Sequence, residues 1–148
     1  MEYEKALALL QGISFFNKLS LEEKKFLATL GCDRFTFPKA RTIITQGQID
    51  SSLYILLAGE LKVIREPHPA VTLAVLKPGD VFGEVSFIEK RPRTTSVIAL
   101  EESTVLKMDG QTIQRLNPVL LNKIKDQLID LLIRRLDSMN QRMAEDNS

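Results

Sequence analysis

Tryptophan is absent from this chain, and cysteine and histidine occur once each, as Cys32 and His68. One cysteine excludes a disulfide framework, a Cys-rich zinc site and an iron–sulfur cluster within a single chain, and it points to a reducing compartment. His68 lies in Glu66-Pro67-His68-Pro69 with no carboxylate or cysteine constellation around it. It reads as an exposed loop residue rather than a metal ligand or a base. Neither a His/Asp cluster nor a nucleophile with its own base is present, so no catalytic residue, metal site or cofactor is expected, and the protein is not expected to be an enzyme. Charge of one sign is missing too: 20 Lys+Arg against 19 Asp+Glu give a formal net charge of +1. That leaves no basic field for nucleic acid and no like-charged tail for DNA or a membrane surface. No stretch approaches the ~20 apolar residues of a membrane span. The N-terminus, Met1-Glu2-Tyr3-Glu4-Lys5, lacks the basic segment and apolar run of an export signal. The expectation is a cytoplasmic protein that does not enter a membrane and binds no DNA by this chain alone.

What is present suffices for one folded domain. At 148 residues, 44% hydrophobic and 26% charged, the chain can bury a core but has no room for a second domain. Tyr3 to Leu10 is a short helical pattern that stops near Gln11-Gly12. Ser20 and Glu23 form a capping-box pair ahead of a helix with the apolar stripe Leu21, Phe26, Leu27 and Leu30, closed by Gly31. From Cys32 the period becomes extended: Arg34 to Phe37, Thr42 to Thr45, Ser52 to Leu57 and Glu60 to Ile64 are short runs separated by Gln46-Gly47 and Ala58-Gly59. Val71 to Leu76 follows, then the turn Pro78-Gly79-Asp80, and later Ser96 to Leu100 and Ser103 to Met108. Runs of this length between such turns predict an antiparallel sandwich or barrel.

The stretch from Val81 to Val97 carries the chemistry. Gly83 directly precedes a short amphipathic run whose first N–H groups have no partner within the run, a start that suits a phosphate. Pro92 then stops any helix, and Arg93 supplies a guanidinium matched to two phosphate oxygens. Glu84 is an awkward neighbour for a phosphate unless the ligand also brings a hydroxyl for the carboxylate to accept. A ribose 2′-OH would fit.

The tail is helical. Asp109-Gly110 ends the strands, Gln111 to Leu116 reads as a short helix, and Asn117-Pro118 starts a long one with Asn at the cap and Pro at the first position. Leu121, Ile124, Leu128 and Leu131 form a stripe for the domain itself. Ile129, Leu132, Leu136, Met139 and Met143 form a second line suited to a partner helix, which predicts a parallel or antiparallel homodimer.

Phe82-Gly83-Glu84, a short apolar turn, then Pro92-Arg93-Thr94 before an apolar strand resembles the phosphate-binding cassette of the cyclic nucleotide-binding domain family. Nearly the whole chain is similar, from Gly12 to the last helix, including the apolar knot Ile13-Ser14-Phe15-Phe16, the Gln46-Gly47 turn, Asp50 and the Leu53-Tyr54 strand. The resemblance implies an α+β, mainly β fold: an antiparallel double-stranded β-helix or jelly-roll barrel over residues 32–109, with helices in 1–31 and a long helix within 110–148. It implies that Gly83, Glu84, Val85, Ser86 and Arg93, with Thr94 and Thr95, hold a cyclic phosphate and ribose, Glu84 taking the 2′-OH. Ala74, Leu76 and Val63 would lie beside the base, and Leu128 and Leu131 would close over it; Arg134 and Arg135 could also reach it. Thr94 resembles the threonine of cGMP-preferring members, which some cAMP-responsive members share, so cAMP leads with cGMP second. One departure is Lys39-Ala40, where many members have a glycine; most turn types need no positive φ, so only the local turn type is affected. The expected role is a sensor that couples the ligand to its last helix and acts on a downstream protein not identified by the sequence. Alternatives are a ligand-binding piece of a transcription regulator, channel or kinase, or a docking module that has lost its ligand. Ser148 comes too soon for an appended helix-turn-helix.

Overall fold

A computed structural model describes residues 2–30, 32–66 and 71–146. The expectations for Gly31 as a helix stop and His68 as a loop residue lie outside the described residues. Helix α1 spans Tyr3–Gly12, and a 3₁₀ turn follows at Ser14–Phe16. Helix α2, Leu21–Thr29, begins on the expected capping box: Ser20 Oγ accepts from Glu23 N at 3.1 Å and Ser20 N donates to Glu23 Oε1 at 2.9 Å. Its stripe is displaced from the expected one. Leu27 and Ala28 are buried, whereas Leu21 and Phe26 are exposed, because the side facing α1 is narrower than the four-residue stripe. Gly12 does not stop α1 by a left-handed turn; the helix runs through it and leaves at an extended Ile13.

Eight strands follow: β1 Cys32–Phe37, β2 Thr42–Ile44, β3 Leu53–Ala58, β4 Leu61–Arg65, β5 Val71–Leu76, β6 Val81–Phe82, β7 Ser96–Ala99 and β8 Ser103–Met108. They form two four-stranded antiparallel sheets, ordered β1-β8-β3-β6 and β2-β7-β4-β5. The mainly β fold is as expected, but the strands pair as two separate sheets, and among the described residues no hydrogen-bonded barrel closes. Gly47, Gly59 and Gly79 all have positive φ, so three expected turns sit on residues that adopt that conformation without strain.

The sequence of β3 explains the layering. Leu53 and Ile55 point into a core shared with the helices (Leu10, Phe16, Leu27, Leu106, Ile124, Leu128), while Tyr54 and Leu56 point into a second core between the sheets (Ile44, Leu61, Val97, Val105). A strand apolar on both faces is thus buried on both. At the turn after β1, Ala40 has φ 72°, and Arg41 N donates to Pro38 O at 3.2 Å. This corrects the reading of Lys39-Ala40: the turn does require a left-handed residue and holds alanine there.

After β6 comes α3, Glu84–Glu89, and after β8 comes α4, Gly110–Gln114. Helix α5, Pro118–Asp146, opens as expected, with Leu120 N donating to Asn117 Oδ1 at 3.0 Å. Leu120, Ile124 and Leu128 bury its first half. Lys123 Nζ lies 2.7 Å from Glu23 Oε1, tying it to α2. Beyond Leu132 the helix surface is exposed except at Arg135.

Candidate ligand-binding site

Between the ends of the two sheets lies a cavity of about 350 Å³. Ten of the residues expected at a ligand line it: Val63, Ala74, Leu76, Gly83, Glu84, Val85, Ser86, Arg93, Thr94 and Thr95. Four elements bring them together, namely β4, β5, the turn into α3 and the segment before β7. Two expected residues do not line it. Leu128 is fully buried in the helical core, and Leu131 packs against that core and faces a wider groove beside β5. The reason is the helical period: the stripe that runs onto the core at Leu128 reaches the cavity only about two to three turns later, where Arg135 and Met139 line it.

Gly83 makes the phosphate-sized turn. It stands at φ 81° as the N-cap of α3. The first bond of the helix to return to the turn is Phe87 N to Gly83 O at 3.3 Å, so the amides of Glu84, Val85 and Ser86 have no intrahelical acceptor. They lie at the positive end of the turn.

Arg93 is 5% exposed, an unusual degree of burial for a cation. It is paired rather than stranded. Nη1 donates to Gly83 O at 2.8 Å, Nη2 to Ser52 O at 2.8 Å, and Nη2 lies 3.4 Å from Asp50 Oδ2. Its Nε is buried and has no hydrogen-bond partner among the described residues. Arg93 as a residue lines the cavity, so its charge stands beside that space. The guanidinium carbon also lies 5.8 Å from the centroid of the Tyr54 ring, which stacks on Phe82 at 5.1 Å. Tyr54 Oη donates to Asp50 Oδ2 at 3.1 Å. Burial alone would push the Asp50 carboxyl upward, but hydrogen bonds from Ser52, then the Arg93 charge and the Tyr54 hydroxyl, outweigh it and hold the carboxyl below its usual range. Burial pushes the Tyr54 hydroxyl upward, with Asp50 adding to the shift.

Asp50, Ser52 and Tyr54 are therefore the frame of Arg93, and the sequence did not single them out as site residues. They are about 40 positions from it; in the sequence only the Asp50 and Leu53-Tyr54 motif, a mark of the fold, points toward them. Arg135 holds a different place from the one considered for it: Nη1 donates to Glu84 Oε1 at 2.6 Å and Nη2 to the carbonyl of Val81.

The fold is an antiparallel β-sandwich in which the turn at Gly83, the buried Arg93 and the Glu84 carboxylate line one cavity. A family model for the cyclic nucleotide-binding domain matches residues 34–117, and this chain belongs to that family. It is 30% identical over 114 residues to a CRP-like cAMP-activated global transcriptional regulator of Mycobacterium tuberculosis, covering 74% of this chain and 49% of that protein. It is 28% identical over 117 residues to the cAMP-dependent protein kinase regulatory subunit of Yarrowia lipolytica, covering 79% of this chain and 31% of that one. The crystal structure of a cyclic nucleotide-binding domain from Methylobacillus flagellatus superposes with a TM-score of 0.81 at 26% identity, over 97% of this chain and 83% of that one. The chain thus spans about half or less of the length of the curated relatives it is compared with.

Proposed function

We propose that this chain is a single cyclic nucleotide-binding domain that senses cAMP, with cGMP as a second ligand, and acts without catalysis. The observation that carries the reading is the buried cation Arg93 beside the first turn of α3, both lining one cavity. The cyclic phosphate accepts from Glu84, Val85 and Ser86 N–H and from Arg93, whose charge Asp50 balances only at 3.4 Å. Glu84 accepts the ribose 2′-OH. Val63, Ala74 and Leu76 give the base an apolar bed, and Thr94 and Thr95 bring the hydroxyls near the phosphate edge. No described group of His, Cys, Asp and Glu could hold a metal ion, and no described helix is long and apolar enough to cross a membrane. The reading is of a regulator in the cytoplasm whose output passes to a partner protein, with no DNA contact from this domain. The domain takes in helices in 1–31, sheets in 32–109 and helices in 110–148.

The exposed face of α5 extends this reading to a homodimer. Ile129, Leu136, Met139 and Met143 are each half or more exposed, and so is Ile133, which lies outside the expected line. Leu132 is partly covered. The line that would meet a partner helix is therefore rotated slightly, from Leu132 toward Ile133.

Calorimetric titration of the purified chain with cAMP and cGMP tests the ligand. Arg93→Ala is expected to weaken binding by at least ~2 kcal/mol, since it removes a charge-assisted donor set from a desolvated site. Wild-type affinity in a folded Arg93→Ala chain would remove Arg93 from the site.

A further inference from the structure

We propose that the groove between β5 and α5 is a docking site for an acidic peptide segment of a partner protein, one that alternates carboxylates with large apolar side chains. The proposal stands on this surface alone and does not depend on which ligand fills the cavity.

The groove has a volume of about 1030 Å³. One wall is β5 with the turn that follows it, and the other is a single face of α5, where Gln127, Leu131, Arg134, Ser138 and Arg142 recur at steps of three and four. That face lies nearly opposite the line Ile129, Leu136 and Met143. A partner helix seated on that line leaves the groove open. From Gln127 to Arg142 the α5 wall runs fifteen positions, about 22 Å at ~1.5 Å each, which an extended segment of roughly seven residues spans.

Strand β5 is an unguarded edge. It pairs with β4 alone, at the end of its sheet. None of Val71-Thr72-Leu73-Ala74-Val75-Leu76 is charged or a proline, although edge strands are commonly protected by such residues. The first five are exposed, with Val71 at 53%, Leu73 at 50% and Val75 at 44%. A contiguous apolar surface of this kind marks a place where another molecule binds. The register with β4 skips Leu73, and this bulge breaks the regular edge. A docked segment is therefore held by its side chains rather than as an added strand.

The charges select the occupant. Near the 3₁₀ turn the groove is neutralised, since Lys18 Nζ lies 3.8 Å from Asp130 Oδ2 and both residues line it. Arg134 and Arg142 stand about two turns apart on the α5 wall, and neither has an ion-pair partner among the described residues. Two guanidiniums facing an apolar strand favour a partner with spaced carboxylates and large apolar side chains together. A basic segment is repelled by the arginines, and a purely polar one leaves β5 uncovered.

The test is fluorescence anisotropy of a labelled peptide of about eight residues alternating leucine and glutamate, titrated with the purified chain, with lysine-for-glutamate and serine-for-leucine peptides as controls. The wild-type chain is expected to bind the first with a Kd of about 10–100 μM and each control about tenfold more weakly or less. Val75→Glu and Arg142→Glu alter the two walls of the groove without touching residues that line the cavity. Each is expected to weaken the first peptide about tenfold at an unchanged unfolding midpoint, whereas Leu136→Asp on the opposite face leaves its binding as it was. No binding by the wild-type chain, equal binding of the lysine or serine peptide, or loss in Leu136→Asp but not in Val75→Glu overturns the proposal. So does a sedimenting mass that Val75→Glu halves, since a second copy of the chain is then the occupant. If either groove variant unfolds early, the three peptides on the wild-type chain decide the matter.

Discussion

Nη1 of Arg93 donates to the carbonyl of Gly83 at 2.8 Å, so the arginine is held by the same residue whose left-handed backbone opens the anion turn. A Cβ added at Gly83 would stand 2.9 Å from Ser52 O and 3.0 Å from Arg93 Nη1. Neither neighbour can retreat cheaply, since Ser52 O is backbone and already accepts from Arg93 at 2.8 Å. Gly83→Ala is therefore expected to lower the unfolding free energy by about 1–3 kcal/mol, through positive φ and the clash together, and to weaken cAMP binding. Denaturant unfolding and calorimetry on the one variant check both. A chain as stable as wild type would mean that the turn relaxes.

Ala40 offers the opposite case. It sits at φ 72° with no glycine to relieve it, in an exposed turn that does not line the cavity. Ala40→Gly should stabilise the protein by about 0.5–1 kcal/mol, the cost of left-handed alanine less the extra freedom of glycine in the unfolded chain. A denaturation midpoint that falls instead would show that unfolded-state entropy outweighs the strain.

Ile133→Asp combined with Leu136→Asp tests the proposed helix pairing. Sedimentation should report the monomer mass for the variant and twice that mass for wild type, with unfolding free energy otherwise close to wild type, because both side chains are more than half exposed. Wild-type chain that sediments as a monomer at every concentration would end the dimer reading.

Acid should act on two carboxyls. The Lys123 ammonium, followed by the Ser20 amide, depresses Glu23, and hydrogen bonds from Ser52 with Arg93 and Tyr54 depress Asp50 against its burial. Both are lower in the folded chain than in the unfolded one, so the stability they contribute is complete above the unfolded range of about 4. It is lost as pH falls through their lower folded values. Unfolding midpoints measured from pH 6 to 3 should fall less steeply in Asp50→Asn than in wild type. On the alkaline side burial raises the Cys32 thiol to about 11. Its contribution is present below the unfolded value near 9 and declines as pH rises toward 11. Identical acid slopes in Asp50→Asn and wild type would remove Asp50 from this account.

Local signals were legible in the sequence and distant pairings were not. The capping box at Ser20, the Asn117 cap and the glycine turns are decided within three or four residues, and each was readable. The cassette was readable because Gly83 and Arg93 are only ten positions apart. The carbonyl of Ser52 and the carboxylate of Asp50 reach Arg93 only through the fold, across 41 and 43 positions, and no period in the chain announces them. The strand pattern predicted a sandwich or a barrel but could not choose between them, since β3 is apolar on both faces whether it lies in a barrel wall or between layers. The helix α2 pattern overstated its stripe for a related reason: Leu21 and Phe26 follow the period, but α1 is too narrow a neighbour to cover them.

Eleven positions separate Arg135 from Asp146, the last described residue of α5, and at ~1.5 Å each that is an arm of about 16 Å. Pivoted at Arg135, a tilt of about 10° carries its tip roughly 3 Å, the width of a side-chain contact. A small rearrangement at the carboxylate of Glu84, where Arg135 is held, would in this way become, by stiffness alone, a displacement of side-chain size at the far end of α5.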